Sequence, residues 1–215
     1  MKNTLLLSAL LIFFTVTAAV QAADSIKLPE PSFKSADASL FQALKGRCSQ
    51  RAFSDKALSQ EQISDILWAA YGVNRPGDKR TIAAALGKYT VSIYVLTADG
   101  AFRHDRTANT LVKVTDKDLR KSAEGRGTLG PAAGAVFLLT ADGSAFKSMP
   151  AEQVNLFIGY EAGSICQDIY LYCSAAGLNT LCCGSLDRKT LASQLKLPAG
   201  SSPILTMIVG YPPAR

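Results

Sequence analysis

Residues 47–72 read RCSQRAFSDKALSQEQISDILWAAYG, and the two halves of this stretch pose different questions. The second half is a helix by every local signal. Ser59 opens it, Gln62 stands three residues on to complete a capping box, and Gly72 ends it. Ile63, Ile66, Leu67 and Ala70 recur at helical spacing and form its buried stripe. Trp68 lies close to that stripe and is expected in the core with its indole N–H satisfied. The first half carries Arg47, Ser49 and Arg51. On an extended chain these alternate positions share one face, while Cys48 and Gln50 point the other way. Two guanidinium forks and a hydroxyl would then converge in a geometry suited to phosphate oxygens. Taken alone, such a triplet reads first as a solvated strand edge.

Working outward, the amino-terminal flank divides at about residue 22. Lys2 gives a short basic start, Leu5 to Val20 are almost wholly apolar, and Val20-Gln21-Ala22 offers small residues for cleavage. Residues 1–22 are therefore expected to be a secretory signal, and the mature protein to be periplasmic or secreted. With no twin arginine ahead of the apolar run, export is expected in the unfolded state. No other apolar run is long enough for stable membrane insertion. Residues 23–36, polar with Pro29 and Pro31, read as an extended arm, and a domain over 37–215 follows.

Within that domain a short helix is expected over Leu40 to Lys45, ahead of the arginine motif. GVNRPGDKR, residues 72–80, reads as a loop. YTVSIYVLTADG (89–100) is a strand, and AFRHDRTANTLVKV (101–114) is two short strands about a turn at Thr107 to Asn109. His104 falls in that turn-rich pair, where an exposed imidazole is expected. Helix signals cover Asp116 to Ala123, and GAVFLLTADG (134–143) is a continuous apolar run that fits a central strand. Residues 151–178 form the longest helix, about 40 Å if unbroken, with Ile165, Ile169 and Cys173 on its apolar stripe and Gly177 at its end. Tyr160 and Tyr170 on this helix read as packing residues or as the lining of a substrate pocket. LNTLCCGSL (178–186) is a strand and tight turn, Asp187 caps another helix, and SPILTMIVGYP (202–212) is the closing strand. Helices and strands mix without a strict βαβ rhythm, which points to an α+β domain with helices on both faces of one sheet.

Composition narrows the function. Lys and Arg number 23 against 17 Asp and Glu, a formal net charge of +6, but they are scattered, so no nucleic-acid partner is expected. His104 is the only histidine and no CxxC spacing occurs, so no metal site is expected. Five cysteines leave at least one unpaired, and buried, small apolar residues are their first reading. Cys182 and Cys183 are adjacent; a thiol-redox role would need a strained vicinal disulfide.

The pattern R-x-S-x-R-x-F, a short link, then L-S-x-x-x-I-x-x-I-L-W-A-A-x-G, present from Arg47 to Gly72, resembles the opening of the nitroreductase family, in its short branch related to thiazoline/oxazoline oxidases. EAGSICQDIYLYCSAAGLNT (161–180), CCGSLD (182–187) and VGYP (209–212) resemble that family's long helix, flavin-edge turn and closing strand. The likeness runs from about Leu40 to Pro212. It implies an α-β-α sandwich, with a mixed or antiparallel sheet, that forms an intertwined homodimer holding FMN at the subunit interface. It further implies that the motif around Cys48, through Arg47, Ser49 and Arg51, meets the FMN phosphate and ribityl chain. Gly184 and Ser185 would set backbone N–H groups near flavin N5, with Cys183 close by, and Arg215 is the terminal candidate for the phosphate. The chain departs from the family's R-T-x-P-S-A-x-N segment: RTIAAALGK places Ala83, Ala84 and Gly87 where Pro, Ser and Asn are usual. The backbone of Leu86 and Gly87, or the Lys88 ammonium, is expected to substitute.

The reading that follows from the resemblance is an FMN-dependent oxidoreductase acting by two-electron transfer on a small organic substrate. No acid–base cluster is assigned, because the flavin carries the chemistry. An exported enzyme would need an electron donor other than cytoplasmic NAD(P)H, such as a periplasmic redox protein or a quinone. The alternative is a non-catalytic flavin- or small-ligand-binding dimer with a degraded site.

Overall fold

Two serine caps fix where the first helices begin. In the computed structural model, which describes residues 24–124 and 133–214, Ser39 and Ser59 each accept the N–H of the glutamine three residues on. Each glutamine side chain in turn accepts the cap N–H, so both helices start with reciprocal capping boxes. These are α1 (Leu40–Gly46) and α2 (Gln60–Tyr71). Residues 1–22, expected as a leader, and Arg215 lie outside the described residues.

The strands in chain order are β1 (Ser25–Lys27), β2 (Val73–Arg75), β3 (Lys79–Arg80), β4 (Val91–Thr97), β5 (Gly100–Asp105) and β6 (Thr110–Thr115). They are followed by α3 (Arg120–Ala123), β7 (Ala135–Asp142), α4 (Ala151–Ala175), β8 (Asn179–Cys183), α5 (Arg188–Gln194) and β9 (Ser201–Gly210). Seven strands form one sheet in the order β1-β6-β5-β4-β7-β9-β8, and every pairing in it is antiparallel. The apolar run of β7 sits at the centre between β4 and β9, as its composition requires. Its side chains alternate: Ala135, Phe137 and Leu139 face the core beneath α2 and α4, while Val136 and Leu138 face a second core beneath α3 and α5. A sheet buried on both faces explains why β7 lacks a polar alternation.

Several local expectations are corrected. Residues 72–80 are no bare loop, since β2 and β3 pair as a small hairpin. The helix expected over 116–123 shrinks to α3, because Asp118 spends its carboxylate on the Arg120 N–H and guanidinium. Trp68 is half-buried rather than core and packs on Phe33 at 4.7 Å between ring centroids. His104 is half-buried in β5, its Nε2 sealed from solvent without a hydrogen-bond partner among the described residues. The arm lies against the domain: β1 adds to the sheet edge, Leu28 is buried, and the N–H groups of Ser32 and Phe33 donate to Asp65. No helix of the described residues is long and apolar enough to cross a membrane.

One buried charge organises the face under α4. Glu161 accepts hydrogen bonds from the backbone N–H groups of Thr90 and Val91, the Thr90 hydroxyl and the Tyr71 phenol. Burial, and then the nearby carboxylate, push the Tyr71 phenol far above its ordinary range, so it stays a donor. Arg80, also buried, lies between the rings of Tyr71 and Tyr89 at 4.0 and 3.8 Å.

Candidate functional site

The arginine motif leaves α1 as extended backbone and runs along the end of the sheet. The Gln50 N–H donates to the Thr180 carbonyl at 2.9 Å, and Asn179 Nδ2 donates to the Ala52 carbonyl at 2.7 Å, tying the motif to β8. Alternate side chains then separate as extended backbone dictates. Ser49 Oγ lies 2.8 Å from the Tyr170 hydroxyl, and the Arg47 guanidinium sits over the Tyr170 ring at 5.1 Å. Cys48 turns elsewhere and its Sγ accepts from Gln50 Nε2 at 3.1 Å.

Tyr170 is the joint of this corner. Its hydroxyl accepts the Cys182 N–H at 2.8 Å, so one phenol on α4 holds both the arginine motif and β8. Either hydroxyl can donate in the Ser49–Tyr170 contact, and the arrangement in which the phenol donates turns the Ser49 hydroxyl hydrogen to a ligand oxygen. Two residues beyond Cys182 the chain reaches the Gly184–Ser185 turn. Arg188 Nη2 donates to the Gly184 carbonyl at 3.0 Å and Arg188 Nε to the Pro203 carbonyl at 3.1 Å, pinning the turn against β9. Cys183 Sγ approaches the carbonyls of Glu124 and Ser185. The Ser185 N–H has no acceptor among the described residues, and Gly184 and Ser185 are both exposed.

The charge balance of the corner is lopsided. Neither Arg47 nor Arg51 has an ion-pair partner among the described residues. Arg47 and Ser49 are held together on Tyr170, Arg51 follows them exposed to solvent, and no protein anion among the described residues pairs with either arginine. The donor set matches an anionic ligand that carries a phosphate at one end and hydrogen-bond acceptors at the other.

The remaining candidates lie apart from this corner. Thr81, Ile82 and Ala83 line a cleft against Gly159, Gly163 and Gln167 of α4, whereas the arginine motif meets α4 near Tyr170 and Ser174. Leu86 and Gly87 follow in a short 3-10 turn, both at positive φ (54° and 69°), the conformation that Gly and Asn adopt at least cost. That accounts for a Gly at position 87. Lys88 Nζ donates to the Ala145 carbonyl at 3.0 Å, so its ammonium is already engaged. Among the described residues no hydrogen bond or ion pair of the protomer joins 83–87 to Arg47, Ser49 or Gly184. Within the described chain the two segments therefore meet different stretches of α4. Arg188 has no part in the sequence reading, and Tyr170 is read there as a packing or pocket-lining residue, not as the hydroxyl that ties the arginine motif to β8. Tyr170 looks like any aromatic on an apolar stripe, and Arg188 like part of a helix start.

The nitroreductase family model matches residues 44–211, most of the chain. This protein belongs to the nitroreductase family. A crystal structure of a candidate nitroreductase from Ralstonia eutropha superposes with a TM-score of 0.83 at 31% identity, covering 91% of this chain and 92% of that one. A candidate nitroreductase of Methanocaldococcus jannaschii is 24% identical over 173 residues, 76% of this chain and 86% of the relative. A nitroreductase-type structure from Desulfovibrio desulfuricans, solved in complex with FMN, shares the fold at a TM-score of 0.57 and 22% identity, covering 83% of this chain and 88% of its own. The family assignment agrees with the α+β sandwich and with the motifs at Arg47–Gly72 and 161–187.

Proposed function

We propose that this protein is an FMN-dependent oxidoreductase that carries out two-electron transfer to or from a small organic substrate. The observation that carries the reading is the unneutralised pair Arg47 and Arg51 beside Ser49, fixed by Tyr170 to the strand that ends in the Gly184–Ser185 turn. Arg47, Ser49 and Arg51 would hold the phosphate and ribityl chain. The Gly184–Ser185 backbone, next to Cys183, would meet the flavin edge. FMN, when bound, supplies the two-electron redox chemistry. The chain's own part is to orient the ring, to donate hydrogen bonds to its acceptors and to leave one face open to substrate.

That no hydrogen bond or ion pair within the protomer joins residues 83–87 to the arginine corner among the described residues supports a homodimer in which these residues of one copy complete the corner of the other. Leu40 (62% exposed), Phe41 (82%), Leu86 (70%) and Leu156 (68%) are large apolar side chains left in solvent, an amount of exposure that pairing of two copies would remove. Open backbone at Gly159 and Gly163, where an added Cβ would meet nothing within 4 Å, gives close approach to the same face of α4. The leader over 1–22, the arm over 23–36 and the domain over 37–215 make the mature enzyme periplasmic or secreted, which argues for an electron donor other than NAD(P)H.

Absorbance of the purified protein before and after dithionite tests the cofactor, and light scattering tests the dimer. A flavin spectrum that bleaches supports the enzyme. A protein that stays colourless with added FMN supports the second reading, a non-catalytic ligand-binding dimer, which the Ala83, Ala84 and Gly87 departures favour. A monomeric flavoprotein would break the shared-site reading alone.

A further inference from the structure

Beneath the Tyr170 joint lies a pair of thiols that the flavin reading does not use. Cys166, on α4, and Cys182, on β8, place their sulfurs 3.8 Å apart. Cys166 is buried, while Cys182 is only partly so. The Cys182 N–H donates to Tyr170, whose hydroxyl meets Ser49. The pair therefore lies two hydrogen bonds, through Tyr170, from Ser49 of the arginine motif.

We propose that Cys166 and Cys182 are a dithiol that closes to an intramolecular disulfide, fastening β8 to α4 directly behind the candidate ligand corner. The separation must fall to about 2.05 Å, a change that side-chain rotation and a small strand shift can supply. The other thiols compete poorly. Cys183 follows Cys182 on a strand and faces the opposite core, so a vicinal bond would have to reverse the alternation. Cys173 is fully buried in the core, and Cys48 is exposed with its sulfur turned to Gln50. The roles within the pair are also distinct. The thiol–thiol contact with Cys166 holds the Cys182 thiol below its ordinary range, while the same contact, and then burial, push Cys166 up. Cys182, the only partly buried member of the pair, is thus the thiol that an oxidant reaches first and the attacking thiolate.

With a small-molecule disulfide as oxidant, the chemistry balances. Cys182 Sγ attacks one sulfur of oxidised glutathione, breaking its S–S bond and releasing one glutathione thiolate. The Cys166 thiol loses its proton and attacks Cys182 Sγ, forming the new S–S bond and expelling the second glutathione. The protein dithiol loses two electrons, and the oxidant becomes two thiols that take up the two protons.

The test uses the mature chain in its reduced form, incubated with excess oxidised glutathione, then denatured and alkylated. The five cysteines should fall to three alkylated thiols, and dithiothreitol should restore all five. No Lys or Arg lies between Lys147 and Arg188, so trypsin leaves four cysteines in one peptide. Chymotryptic cleavage after Tyr170, Tyr172 and Leu181 puts Cys166 and Cys173 on separate peptides and leaves Cys182 with Cys183. A cross-link between the Cys166 peptide and the Cys182–Cys183 peptide is expected, with fragment-ion sequencing placing the alkyl group on Cys183. Cys183→Ser should retain that cross-link and Cys182→Ser should lose it. Five alkylated thiols, a stable glutathione adduct without closure, or a cross-link between any other pair would overturn the proposal. The mapping on the unmodified sequence stands whether or not a variant folds.

Discussion

Glu161 and Arg47 are both charged, both lie against a tyrosine, and both touch the same face of the domain, yet they are treated in opposite ways. Glu161 is buried and receives donors from Thr90, Val91 and Tyr71. Arg47 reaches solvent, rests on the Tyr170 ring and has no ion-pair partner among the described residues. A buried charge is tolerable only when its hydrogen bonds are complete, and a complete set leaves nothing for a ligand. An exposed cation held in place but left unneutralised stabilises little by itself and keeps its donors available. The first arrangement is structural, and the second is a place for something to bind.

Substitution should split the two regions cleanly. Glu161→Ala strands several buried donors and should cost about 3–5 kcal/mol of folding stability, read by urea denaturation. A loss below about 1 kcal/mol would mean that the carboxylate is not the organiser of that face. Arg47→Ala should leave stability within about 0.5 kcal/mol. It should instead weaken FMN binding by about 10–100-fold, the worth of one charge-assisted hydrogen bond, measured by fluorescence titration. A variant that loses stability but binds FMN normally would reverse the assignment of the two regions.

The same contrast explains what could be read from the sequence. Local periodicity gave α2, α4, the central position of β7 and the alternation that sends Cys182 and Cys183 to different cores. The extended arginine motif was legible because a two-residue period needs no distant information. Tyr170, Arg188 and the Cys166–Cys182 approach depend on segments far apart in the chain, and no local pattern marks such contacts. Glu161 was a readable signal that went unused: it sits three residues after Ile158 and four before Ile165, a carboxylate on an apolar stripe. The β2–β3 hairpin and the shortness of α3 were missed because Pro76 and Gly77 masked a pairing, and because Asp118 prefers a local turn.

His104 tests whether burial or solvent governs the end of β5. Burial lowers its pKa to about 4, opposed by the Asn109 side chain and the charge of Asp105. A histidine depressed in the folded state contributes stability above its unfolded value near 6.5, and that contribution is lost as pH falls through the folded value. Between pH 7 and 4 the protein should lose about 1–2 kcal/mol more than a His104→Gln variant, after allowance for partial solvent exposure. Because it is the only histidine, its imidazole proton resonances give the pKa directly. Titration near 6.5 would show the ring to be solvated.

Tyr170→Phe is the mildest change and the one that joins both regions. The phenol is buried in its ring and polar at its tip, so the substitution keeps the packing and the aromatic face beneath Arg47. It removes the hydroxyl that accepts the Cys182 N–H and meets Ser49. The expected cost is about 1 kcal/mol of stability. FMN affinity should fall by less than about tenfold, because Ser49 remains but is no longer held. An affinity loss as large as that of Arg47→Ala would mean that the phenol itself touches the ligand. No loss at all would mean that the motif keeps its shape through the Gln50–Thr180 and Asn179–Ala52 bonds alone, and that Tyr170 belongs with Glu161 among the residues that hold the fold.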